Sequence, residues 1–341
     1  MIDYIVEQIE QLVNIHSPSG YTDAAVAYVR EEVARYGYDL DRTEKGAVYV
    51  TVKGQGNKDT LGIAAHVDTL GAMVRSINSD GTIRFTSVGS YLMSSVNGEY
   101  CTIYTRDDRS YTGTILSKQP SVHVYPDIRD YPLVEENMHV RLDEQVASKE
   151  ATEALGIEVG NIIGFEPRFI RTASGYVKSR HLDDKASAAL LLALLKYIKE
   201  EQVVLPYDLK VIFSTYEEVG HGAAYIPEDI KRLLAIDMGT IGDDLACTEE
   251  DVSICVKDSS GPYDRQMVDD LLKIAKEKAL SYTLDVYPRY SSDASAALRG
   301  GANIRAALIG PGVHASHHME RTHESGLINT FKLMVGYMES L

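Results

Sequence analysis

The stretch Lys210-Val-Ile-Phe-Ser-Thr-Tyr-Glu217-Glu218-Val-Gly-His-Gly222 constrains this chain more than any other. It reads as a buried apolar strand that ends in two adjacent carboxylates and then breaks at glycines. Side chains alternate across a strand, so neighbouring acids avoid opposite faces only if both lie past its end. In an open parallel sheet the carboxyl ends of strands are where sites are built. Two acids there call for metal ions or a catalytic proton. Alone, the pair reads first as a solvated strand-to-helix turn, because surface acids are common. Its company decides.

A chain of 341 residues, 44% hydrophobic and 25% charged, has the composition of a soluble globular protein and the length of about two domains. Its net charge of -16 excludes nucleic acid and anionic membrane surfaces as expected partners. Cys101, Cys247 and Cys255 are widely spaced without a Cys-x-x-Cys, which fits a reducing compartment. Residues 1–13 mix acids and apolar residues at helical spacing, an amphipathic helix and not a signal peptide. No apolar run reaches membrane-spanning length. The expected location is cytoplasmic.

Helix and strand alternate at first. After the opening helix come the turn His16-Ser-Pro-Ser-Gly20, a helix from Asp23 to Tyr36 with Gly37 as C-cap, and a strand at Val48–Val52. The Gly54-Gln55-Gly56-Asn57 turn leads to a strand at 61–65 that runs into His66-Val-Asp68. From 70 to 165 the texture changes to short alternating segments (82–86, 100–104, 112–116, 139–142), with one helix at 148–155. That pattern predicts a small barrel-like β domain inserted into an α/β domain made of 1–69 and 166–341. The α/β pattern then resumes: a helix from about His181 to Lys199, strands at 209–215 and 233–236, a helix at 263–279, a loop at 290–293, a strand at 306–309 and a last helix at 327–341.

Five polar stations share one predicted address, each at a strand's carboxyl end or a helix start: His66/Asp68, Asp183/Asp184, Glu217/Glu218, Asp237 and His317/His318. Imidazole with carboxylates suits zinc, cobalt or manganese. With one bridging carboxylate, five ligands hold two ions. Each station has a plainer reading: His66 as a satisfied core histidine, Asp183 and Asp184 as helix caps, Asp237 as a turn residue. Asp68, two positions beyond His66, is placed to orient the imidazole if the strand continues. His16, His123 and His139 are left to the surface or to packing. Dinucleotide and phosphate-loop glycine motifs, His-Glu-x-x-His and Gly-x-Ser-x-Gly are all absent. Adjacent Glu217 and Glu218 do not by themselves face each other across a glycosidic bond.

With these residues laid out, the sequence resembles the dinuclear aminopeptidases called tetrahedral (TET) or glutamyl aminopeptidases, some of which have carried the label cellulase. The likeness runs over nearly the whole chain. It rests on Ser17-Pro-Ser-Gly20, Ala65-His66-Val-Asp68, Leu182-Asp183-Asp184-Lys185, Tyr216-Glu217-Glu218-Val-Gly220, Asp237-Met-Gly239 and Ser292-Asp293-Ala294. The resemblance implies an α/β fold, a three-layer α/β/α metallopeptidase (phosphorylase/hydrolase-like) domain with an inserted small β-barrel domain. It implies two divalent metal ions per subunit, zinc or cobalt first and manganese next. His66 and Asp237 then look like ligands of one ion, Asp183 like the bridging carboxylate, and Glu218 with a late histidine like ligands of the other. Glu217 looks like the general base, and Asp68 like the residue orienting His66.

The resemblance further implies peptide substrates and a large homo-oligomer, typically a dodecamer, which the inserted domain helps to assemble. Lys185 stands where the family often has Arg. The usual Tyr-x-His-Ser/Thr-x-x-Glu ending is replaced by Ala315-Ser-His317-His318-Met-Glu320-Arg-Thr-His323. His317 is the assigned ligand, with His318 and His323 open. The expected reaction is removal of N-terminal residues from peptides. Two alternatives stand beside it, a metal-dependent deacylase or amidohydrolase and a non-catalytic metal-binding scaffold.

Overall fold

The computed structural model of the chain describes residues 1–56 and 58–341, so Asn57 of the predicted turn lies outside it. Among the described residues ten strands form one sheet. Its centre is four parallel strands in the order Tyr207–Ser214, Lys58–His66, Ile230–Ile236 and Arg305–Val313. These strands read as nearly continuous apolar runs because helices cover the sheet. Val48–Val52 pairs antiparallel at one edge of the four, and Val252–Asp258 antiparallel at the other.

Helix Leu182–Glu200 packs on strand Lys58–His66 and against helices Ile2–Val13, Asp23–Ala34 and Glu324–Ser340. Helix Asp293–Arg299 packs on strands Lys58–His66, Ile230–Ile236 and Arg305–Val313, completing the three-layer α/β/α architecture. From Leu190 to Leu195 the helix Leu182–Glu200 is apolar and buried at every position, as a helix enclosed on all sides requires. Truncating one such leucine to alanine costs about 2–5 kcal/mol. Lys185 is also buried there. Its ammonium donates to the carbonyls of Leu12 (2.8 Å) and Ile15 (2.5 Å), tying this helix start to the end of the first helix.

Six described strands close into a barrel in the order Gly71–Ile77, Ile83–Val88, Met138–Leu142, Ser110–Ser117, Tyr100–Tyr104 and Ile162–Phe165. Closure removes sheet edges and encloses a separate apolar core that includes Val74, Phe85, Ile103, Ile115 and Ile163. Gly71–Ile77 and Ile162–Phe165 are not among the segments expected from alternation. All four residues of Ile162–Phe165 are buried, so that strand has no polar face to alternate. At the seam with the body Gly164 is required, since a Cβ there would lie 2.5 Å from the His16 ring.

Other boundaries move by a turn or less. Helix Asp23–Ala34 ends short of Tyr36, and helix Arg265–Glu277 begins two residues after Tyr263, where the Asp264 side chain accepts from Met267 N–H. The expected 290–293 loop turns at Ser292 into helix Asp293–Arg299, started by a reciprocal Ser292/Ser295 capping box.

Candidate metal centre

The four central strands point their carboxyl ends the same way and deliver most of the predicted stations together. His66 ends its strand, Asp237 follows Ile230–Ile236, and His317 follows Arg305–Val313. Glu217 and Glu218 lie in a short 3-10 turn past Ser214, so both escape the strand's alternation. Asp183 and Asp184 begin helix Leu182–Glu200 in non-helical conformations, joined by a cis peptide bond. The approach is close enough that a Cβ at Gly310 would overlap the Asp237 carbonyl.

Asp183 sits between the two histidines. Its Oδ1 lies 3.2 Å from His66 Nε2 and its Oδ2 lies 3.3 Å from His317 Nε2. Glu218 Oε2 is 3.5 Å from His317 Nε2, and Glu217 Oε2 is 3.7 Å from His66 Nε2. The potential ligand atoms of His66, Asp183 and Glu218 lie within 4.8 Å of one another, and so do those of His66, Asp184 and Asp237. The second set contains Asp184, to which the sequence assigned no ligand role. Asp184 Oδ2 also accepts from the His66 backbone N–H at 3.2 Å.

The strand stops at His66, so Asp68 meets the imidazole differently from a strand neighbour. His66 Nδ1 is 2.9 Å from the Asp68 carbonyl oxygen and 3.5 Å from the Asp68 carboxylate. The carboxylate accepts from the N–H groups of Glu217 (3.1 Å) and Glu218 (3.3 Å) and from the Ser19 hydroxyl. Its clearest contacts therefore fix the turn that carries the two glutamates.

His318 and His323 have other partners. His318 Nδ1 accepts from Met319 N–H, and His323 accepts from Ser325 N–H at the start of the last helix. Among the described residues neither lies within ion-pair distance of Asp183 or Glu218. Sequence reasoning missed Glu320, whose two oxygens accept from the backbone N–H groups of Asp183 (3.1 Å) and His317 (3.0 Å). Its place in the late motif was visible, but its double contact was not. Asp293, quoted above only as part of a motif, accepts from Ser214 Oγ and Ala223 N–H and braces the glutamate turn from behind.

The electrostatics are those of a cation site. Burial and neighbouring negative charge push the Asp184, Glu217 and Glu218 carboxyls well above their ordinary range, and Asp237 to about 7. Burial alone would lower His317, but Asp183 and Glu218 pull it up to about 11. Glu218 Oε1 and Asp184 Oδ1 are buried without a hydrogen-bond partner among the described residues. Oxygen-rich, imidazole-containing and short of donors, the set fits divalent cations. Asp183, Glu217, Glu218, Asp237 and His317 open onto a cavity of about 640 Å³ that Arg289, Tyr290 and Arg299 also line.

Residues 46–333 match the family model described as M42 glutamyl aminopeptidase. The Bacillus subtilis (strain 168) protein named "Putative aminopeptidase YhfE" is 46% identical over 336 residues, covering 98% of this chain and 97% of that protein. Among solved structures, a TET aminopeptidase from a marine-sediment Thaumarchaeota archaeon superposes with a TM-score of 0.89 at 20% identity, covering 99% of this chain and 97% of the other. The Pyrococcus horikoshii TET1 peptidase, described as assembling into a tetrahedron or a large octahedral shell, gives 0.85 at 22% identity, covering 98% and 99%. At those identities the structural likeness is one of fold.

Proposed function

The chain belongs to the M42 glutamyl aminopeptidase family and is a peptide hydrolase, and on that premise we propose that it removes N-terminal residues from peptides at a two-cation centre. The observation that carries this reading is Asp183, which offers one carboxylate oxygen to each histidine as a bridging ligand would. His66 and Asp237 would hold one ion, with Asp184 beside them, and Glu218 and His317 the other. Zinc or cobalt suits the donor set best, and manganese next. Divalent cations bound there supply Lewis-acid polarisation of a carbonyl and make water more acidic.

The chain's own residues do the rest. Glu217 faces the cavity without being needed as a ligand, which frees it to take a proton from the attacking water and pass it to the leaving amine. Asp68 holds Glu217 and Glu218 through their backbone N–H groups, so base and ligand keep a fixed relation. A deacylase would use the same centre on acylated amines. Assaying free-amine peptides against their N-acetylated forms separates the two. Turnover confined to free amines supports the proposal, and turnover confined to acetylated substrates overturns it.

The barrel contributes no acid or histidine to the cluster, and we assign it to subunit association and to shaping substrate access. Relatives of this fold that assemble into shells motivate that assignment. Light scattering should show a species well above a monomer, and a fully active monomer would remove the role. Three free buried cysteines support a cytoplasmic location, and no described helix is long and apolar enough to cross a membrane.

A further inference from the structure

His317 is the least enclosed member of the centre. It sits on a loop with a left-handed backbone (φ 62°), and its side chain is 35% exposed. Its ring is nevertheless aimed. Nδ1 lies 2.6 Å from the carbonyl oxygen of Ser90, which can only accept, so Nδ1 carries the proton and Nε2 is left facing Asp183 and Glu218. Ser90 belongs to the barrel, in the connection between strands Ile83–Val88 and Tyr100–Tyr104.

A buried guanidinium from the body ties that connection down. Arg180 Nη2 donates to the Ser95 carbonyl (2.5 Å), and Nη2 and Nε both donate to Glu99 Oε2 (2.6 and 3.0 Å). Arg180 Nη1 reaches the carbonyl of His318, the residue after the ligand, at 3.4 Å. The Arg180 and Glu99 side chains are only 7% and 2% exposed, so little water competes for the pair. Arg168 adds an exposed arm to Glu99 Oε1 at 2.9 Å. Gly89 brings the same connection beneath the centre, since a Cβ there would collide with Leu70 and lie 3.5 Å from the Glu218 carbonyl. Neither Glu99 nor Arg180 lines the main cavity, so neither is placed to touch substrate.

We propose that barrel residues 89–99, latched by the buried Glu99–Arg180 pair, are a positioning element that sets cation affinity at the His317 end of the centre and not at the His66 end. His66 does not depend on this element. Its backbone is held by Asp184 and its ring by the Asp68 carbonyl, both within the body.

The inference rests on the two-cation reading, and calorimetric titration of metal-free protein with Co²⁺ tests both separately. Wild-type protein should show two sites. Glu99→Gln should weaken one of them by about 10–100-fold, the usual effect of removing a residue that supports a ligand, and leave the other within about twofold. Arg168→Ala removes only the exposed arm and should leave both unchanged. Breaking a buried pair can unfold a protein, so the double replacement Glu99→Leu with Arg180→Met, which removes both charges at similar volume, should show the same selective loss. Undisturbed affinities in either folded variant, or equal weakening of both sites, would overturn the inference alone. Saturation of the wild type at one ion would sink the two-cation reading and this inference with it.

Discussion

Body and barrel are built on opposite terms. The body buries its sheet under helices and spends its strand ends on charge, gathering six acids and two imidazoles (Asp68, Asp183, Asp184, Glu217, Glu218, Asp237, His66 and His317) around one spot. The barrel encloses its own apolar core and gives the centre no charged group, only the Ser90 carbonyl under His317. On the proposed reading the difference separates chemistry from positioning: the acids and both histidines come from the body, and the contact that aims the His317 ring comes from the barrel. Mutations among the body's acids should therefore abolish steps or weaken cations at either end, and mutations in the barrel should retune affinity at the His317 end alone.

The largest effect expected is at Glu217. Glu217→Gln keeps the shape and both ions but removes the proton acceptor, so kcat should fall on the order of 10²–10⁴-fold, with kcat/KM falling alongside. Metal content measured with kinetics checks it. A fully active variant breaks the division, and loss of metal would make Glu217 a ligand instead.

The paired aspartates come next. Asp183→Asn should weaken both ions, because each oxygen faces a different histidine. Asp184→Asn should weaken only the ion beside His66 and Asp237, by about 10–100-fold. Cation titrations of both variants would show it, and a reversed pattern would move the bridge to Asp184.

Much of this centre was legible in the sequence because the body writes it in residue types. Apolar strands that stop abruptly at His66, Glu217 and Asp237 announce where charge is held. Other features leave no such mark. Ile162–Phe165 is enclosed on both faces and so lacks alternation. Helix Asp293–Arg299 hides behind a serine-rich loop until its capping box is seen. The Ser90 carbonyl meets a histidine 227 positions away through a group every residue possesses. Glu320 was part of a visible motif, but its acceptance of the Asp183 and His317 backbone N–H groups depends on a tertiary approach no spacing encodes.

The smallest effect lies on the seam. His16 touches the barrel through Tyr104 Oη at 2.7 Å, and burial, with Lys185 nearby, lowers its pKa to about 4. Its folded pKa is below the ordinary 6.5, so between pH 6.5 and 4 the unfolded chain binds the proton that the folded chain refuses. Stability from this group is complete above pH 6.5 and should decline by about 1–3 kcal/mol as pH falls to 4. Urea unfolding across that range should show a shallower decline for His16→Gln than for wild type. Identical slopes would mean the seam is indifferent to that charge.

The central claim is that one carboxylate is shared between two cation sites, one closed by His66 and the other by His317. Elemental analysis of gently purified wild type and His317→Ala tests it most directly. The account predicts about two divalent ions per chain in the wild type and one in the variant, with the remaining ion held as tightly as before. A wild type that saturates at one ion, or a His317→Ala protein that keeps two, would contradict it.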